Sequence, residues 1–212
     1  MLGRNVHANN IGGLMVTAIL LALSGLLVLG ASSAQAAYGL VWNEQANAGG
    51  LPGSAQRVTG TGGISAIRGH LSSAGDEDMY VICLTGNKTF SATTVNAASA
   101  DLDTQLFLFN ASGLGVYAND DSAGTFQSTL PANHALTPQS QGKYYLAISS
   151  YDNDPLSAGG RIFPSNPYFG RVVGPTGPGG SQRITAWTNT GFASGAYTIR
   201  LTGARVCAPY SS

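Results

Sequence analysis

The chain has 212 residues, with ten Lys or Arg set against ten Asp or Glu, and only 9% of it is charged. That balance leaves no basic stripe to follow a phosphate backbone, which excludes nucleic acid as a partner. Gly alone contributes 29 residues, and with abundant Ser, Thr, Ala and Asn it gives the composition of many turns between short strands, not of helices.

At the N-terminus, Arg4 and His7 precede an apolar run from Leu14 to Leu29, interrupted only by Thr17, Ser24 and Gly25. Ala34-Gln35-Ala36 then places small residues at both positions that specify cleavage. This layout predicts a secretory signal helix over 1–36, cut before Ala37, and a protein that works in the periplasm or outside the cell, free of the membrane. The competing reading is an uncleaved anchor, since the run is nearly long enough to span a bilayer.

Residues 37–61, with Trp42, Glu44, Leu51 and Pro52 among small residues, show no period and are read as an extended lead-in. From residue 62 the signal changes to alternation. Ile64–Leu71 predicts a first strand, Gly75-Asp-Glu-Asp78 a turn, and Met79–Leu84 a buried strand. Lys88–Val95 is rich in Phe and Thr and predicts another strand.

The stretch 101–121 organises the rest. Thr104, Leu106 and Leu108 point one way and Gln105, Phe107 and Phe109 the other, so both faces are apolar and the strand is central. Asn110-Ala-Ser-Gly113 is turn chemistry, and Leu114, Val116 and Ala118 resume the alternation as the second arm of a hairpin. Further strands are predicted at Gln127–Leu130, Gly142–Ser149, Arg183–Trp187 and Gly195–Thr202. Gly142–Ser149 and Gly195–Thr202 share a glycine followed two residues on by a tyrosine expected to pack over it. The Pro- and Gly-rich span 155–182 reads as a long functional or mobile loop. The prediction is an all-β antiparallel β-sandwich of jelly-roll type, about eight or nine strands over 62–203, with a C-terminal tail at 204–212.

Cys83 and Cys207 are the only cysteines. In an oxidising compartment an even count favours a bridge, although Cys83 sits in an apolar run and two buried thiols are the alternative.

Nine of the ten acids, all but Glu44, fall into four short groups at 76–78, 101–103, 120–121 and 152–154. The hairpin brings two of these groups to one end of a sheet, so that Asp101, Asp103, Asp120 and Asp121 converge. Carboxylates that close repel unless protonated or bridged by a cation. Calcium, which takes six to eight oxygens, is the cofactor this pattern predicts. Asp152 and Asp154 are candidates for a second site, and Asp76 and Asp78 are weaker ones. The plainer alternative is that these acids only shape turns. Tyr151, Phe163, Tyr168, Phe169 and Trp187 are candidates for an aromatic platform that would bind an extracellular protein or polysaccharide, or else they cover the core.

Signals for catalysis are sparse. His70 and His134 follow the signal segment, but neither lies in a metal-binding spacing, and there is no nucleophile elbow, phosphate loop or dinucleotide fingerprint. A hydrolase using the clustered carboxylates with His70 or His134 is the alternative function. Asn87-Lys-Thr89 and Asn110-Ala-Ser112 match glycosylation acceptors, with little weight in a chain that reads as bacterial.

Several short motifs occur in a familiar order: Gly75-Asp-Glu-Asp-Met-Tyr80, Phe90-Ser-Ala92, Asp103-Thr-Gln-Leu-Phe-Leu-Phe109, Gly115-Val-Tyr-Ala-Asn-Asp-Asp121 and Gly142-Lys-Tyr-Tyr-Leu-Ala-Ile148. Together they resemble the bacterial pre-peptidase C-terminal (PPC) domains, above all their stand-alone exported relatives, over roughly 62–203. The resemblance implies a secreted jelly-roll sandwich that often holds calcium and does no catalysis itself. No peptidase domain accompanies it in this sequence.

Overall fold

Strand β6 (Thr104–Asn110) is the middle of the molecule, and its side chains explain why. Leu106 and Leu108 enter one hydrophobic cluster, and Phe107 and Phe109 enter another on the opposite face. A strand apolar on both faces is stable only where both faces are covered. The computed structural model describes residues 39–95, 102–122, 124–164 and 170–208. All of these belong to one unit, 37–212; the predicted signal helix lies outside the described residues.

β6 belongs to a seven-stranded sheet that runs in the order β12 (Val172–Val173), β7 (Gly115–Asn119), β6, β9 (Gly142–Ser150), β4 (Glu77–Leu84), β15 (Ala204–Arg205), with β2 (Gln56–Arg57) also pairing with β4. A second sheet has five strands in the order β1 (Leu40–Asn43), β3 (Ile64–Leu71), β14 (Gly195–Thr202), β5 (Ser91–Thr93), β8 (Thr129–Leu130). A small third sheet joins β11 (Gly160–Arg161), β10 (Pro155–Ser157) and β13 (Ala186–Trp187).

The main core unites both large sheets. Ile67, Leu71, Tyr197 and Ile199 come from the five-stranded sheet, and Ile82, Leu106, Leu108, Leu146 and Ile148 from the seven-stranded one. On the outer face of the larger sheet, Met79, Phe107, Phe109 and Ala147 are packed with Ile162, Phe163 and Ile184 from connecting segments and with Trp187 of β13. The all-β sandwich predicted from the sequence is the architecture found.

Its details differ from the prediction in several places: β4 begins at Glu77, inside the predicted turn, and the strands predicted from Gln127 and Arg183 shorten to β8 and β13. Fifteen strands are described where eight or nine were predicted, and two pairings, β1 with β3 and β2 with β4, are parallel. Both parallel strands come from the lead-in, whose pairing is set by main-chain hydrogen bonds and leaves no alternation to read. The strand predicted from Lys88 shrinks to Ser91–Thr93, because Asn87 and Lys88 turn with φ of 54° and 57° and bond back to Gln139 and Pro138. The span 155–182 is not featureless, since it carries β10, β11 and β12. Finally, Tyr197 packs over Gly69, its cross-strand neighbour, and not over Gly195. A Cβ on Gly69 would lie 2.3 Å from the Tyr197 hydroxyl, so only glycine leaves room there.

Cys83 and Cys207 form a disulfide, with Cα atoms 5.0 Å apart. It ties β4 to the segment after β15.

Candidate metal centre

The hairpin register builds the site. Asp103 immediately precedes β6, and Asp120 and Asp121 immediately follow β7, which pairs antiparallel with β6 from Leu106 opposite Asn119. One oxygen from each of Asp103, Asp120 and Asp121 lies within 4.8 Å of the others. Oxygens that close can share a single cation at the 2.3–2.6 Å typical of calcium.

The surrounding chain fixes these acids through their main-chain atoms. The Asp103 carbonyl accepts the Tyr151 N–H at 3.0 Å, and Asn119 Nδ2 donates to the Asp121 carbonyl at 2.8 Å. Asn119 Oδ1 accepts the Thr129 N–H at 2.6 Å, and Ser128 Oγ lies against the carbonyls of Thr104 and Asp120. The Thr104 N–H donates to the Phe126 carbonyl at 3.0 Å. With these carbonyls engaged, the carboxylates carry the unspent acceptor capacity.

Electrostatics agree with the geometry. Oδ1 of Asp103, of Asp120 and of Asp121 is buried without a hydrogen-bond partner. Burial, then the charge of Asp121, pushes Asp103 up to about 6. Burial, then Asp121, Asp103 and Asp152, pushes Asp120 up to about 7. Asp121 is raised by burial. Among the described residues no Lys or Arg pairs with this triad; the ion pairs found there belong to Arg161. A buried carboxylate oxygen without a donor is costly, and a divalent cation would satisfy three at once. The donor set is all oxygen, which suits a hard cation.

The other predicted residues are distributed differently. Asp101, Tyr168 and Phe169 lie outside the described residues. Asp154 is bound by Arg161 and by Gln105 Nε2, and Arg161 also approaches Asp152 at 4.0 Å. Arg161 thus supplies a positive charge beside this second carboxylate pair. Trp187 is a core residue, 5% exposed, with Nε1 donating to the Gly50 carbonyl at 2.8 Å, so it is no part of an open platform. Phe163 is similarly buried, whereas Tyr151 is half-exposed and meets the exposed Phe192 ring at 5.4 Å, tilted by 55°.

Arg161 was not among the residues singled out from the sequence. Its partnership with Asp154 depends on the β10–β11 hairpin, which has no period to reveal it. Asn119 and Ser128 were missed as well; the only signal was their position beside the acids.

No protein-family profile matches this chain, and no curated protein matches it in sequence.

Proposed function

We propose that the protein is a secreted, non-catalytic β-sandwich module, stabilised by calcium at Asp103, Asp120 and Asp121, that binds a protein or polysaccharide outside the cell. The observation that carries this reading is the convergence of three buried, partnerless carboxylate oxygens at one end of the central hairpin. The disulfide supports an oxidising compartment, and among the described residues no helix is long and apolar enough to cross a membrane. The likeness to pre-peptidase C-terminal domains, drawn from the order of motifs along the sequence, belongs to the same proposal.

The hydrolase alternative has no comparable support. The His70 N–H donates to Glu44 Oε2 in the five-stranded sheet, and His134 Nδ1 accepts the Leu136 N–H in a loop. Neither histidine lines the small cavity beside the triad, which is walled by Phe107, Asp120, Asp152 and Phe163 among others.

Thermal melts in EDTA, in millimolar calcium and in millimolar magnesium test the proposal. A site of millimolar affinity, saturated tenfold, stabilises by about 1.4 kcal/mol, a rise of a few degrees. Asp103→Asn or Asp121→Asn should abolish that rise while leaving the metal-free protein no less stable, because each removes a repulsion. Equal melting temperatures in all three solutions would leave the acids as turn residues.

A further inference from the structure

A cavity of about 70 Å³ opens beside the triad and shares Asp120 with it. The rings of Phe107 and Phe163, 5.6 Å apart, line it, and Asp152, Arg171 and Tyr151 also contribute to its wall. Beyond Tyr151 lies the Phe192 ring, 72% exposed. Together the two rings offer an aromatic surface that the apolar face of a ligand can cover.

We propose that this cavity is a subsite for one edge of a neutral sugar residue, held by two adjacent hydroxyls, while the Tyr151–Phe192 pair stacks on the sugar's apolar face. The inference rests on the calcium reading, because Asp120 belongs to both sites.

Three features select this ligand. The volume admits a few water-sized groups and not a whole pyranose ring, so the ligand enters edge first. The wall offers carboxylate acceptors and a guanidinium donor, the pairing that a hydroxyl, at once donor and acceptor, can satisfy. Charge decides the rest. Calcium on three carboxylates leaves one net negative charge, Asp152 adds a second and Arg171 offsets one, so the wall stays negative on balance and disfavours phosphate, sulfate and sialic acid. Arg171 in the same wall opposes a lysine or arginine side chain from a protein partner. Arg161 already neutralises Asp154.

The test applies the exported chain to immobilised neutral oligosaccharides of gluco, galacto, manno and xylo configuration. Sulfated and sialylated glycans and a lysine-rich peptide serve as comparators. Retention is measured in calcium and in EDTA, with the calcium melting shift recorded on the same samples. The expected result is retention of a neutral sugar, lost in EDTA. Phe192→Ala and Arg171→Ala should each weaken it roughly threefold to tenfold, with the calcium shift intact, and Val41→Ser on exposed β1 should leave it unchanged. A calcium shift without retention of any neutral sugar overturns this inference and leaves the calcium reading standing. Preference for the anionic glycans or the peptide overturns it as well, as does retention indifferent to both variants. Sugar retention that persists in EDTA, with no calcium shift, overturns the calcium reading and the coupling through Asp120.

Discussion

Asp78 has no solvent exposure, yet it is a carboxylate in the core between the sheets. Its Oδ2 accepts the Tyr197 hydroxyl at 2.6 Å, and that hydroxyl also meets the hydroxyl of Tyr80. Oδ1 is buried without a hydrogen-bond partner. Burial pushes Asp78 up to about 8; the Tyr197 bond opposes this, and the charges of Glu44 and Asp76 add to it. A carboxyl whose folded value is raised favours the folded state most when protonated. Its contribution is therefore full below about pH 4, the ordinary carboxylate range, and is lost as pH rises through about 8. Measured in EDTA as the difference between variant and parent at each pH, so that the triad's own titration cancels, Asp78→Asn should flatten the decline in melting temperature between pH 4 and 8 and raise it at pH 8. Asparagine keeps an acceptor for Tyr197 and carries no charge. A parallel decline in both proteins would show that Asp78 is not the group responsible. The sequence shows only a turn-like run of acids at 76–78, because the partner that draws Asp78 inward lies 119 residues away. The triad was legible for the opposite reason: its members are joined by one short hairpin.

At the scale of elements, β6 makes the strongest claim. Leu106 is fully buried between the two large sheets. Leu106→Ala should cost about 2–5 kcal/mol, read from urea midpoints. The hairpin turn depends on Gly113, whose φ of 79° is left-handed. Gly113→Ala should cost about 1–2 kcal/mol through backbone strain, since its Cβ would meet nothing closer than Pro52 Cγ at 3.4 Å. The long strands β3, β4, β6, β9 and β14 were readable from side chains, because burial writes alternation or a continuous apolar run into them. Two-residue strands such as β2 and β12 have no such record. Their pairing is a property of the neighbouring backbone, and their side chains are half-exposed or exposed.

For the whole molecule, the disulfide closes a separation of 124 residues. The double variant Cys83→Ser with Cys207→Ser should lose about 2–5 kcal/mol in urea unfolding, and reductant should bring the parent protein to the same midpoint. The order of the five-stranded sheet carries a different consequence. β3 and β5 are not paired with each other; β14 lies between them and is hydrogen-bonded to both. A chain delivered N-terminus first therefore has every other strand of that sheet in hand while the central gap is still empty. Until residues 195–202 arrive, β3 and β5 each present an open edge, the kind that recruits strands from other chains. Folding must wait for nearly the entire polypeptide, and so follows delivery instead of accompanying it. A chain interrupted before Gly195 keeps most of the apolar residues of the core but lacks the strand that seals them. Such fragments belong to proteases and chaperones, not to the pool of working protein.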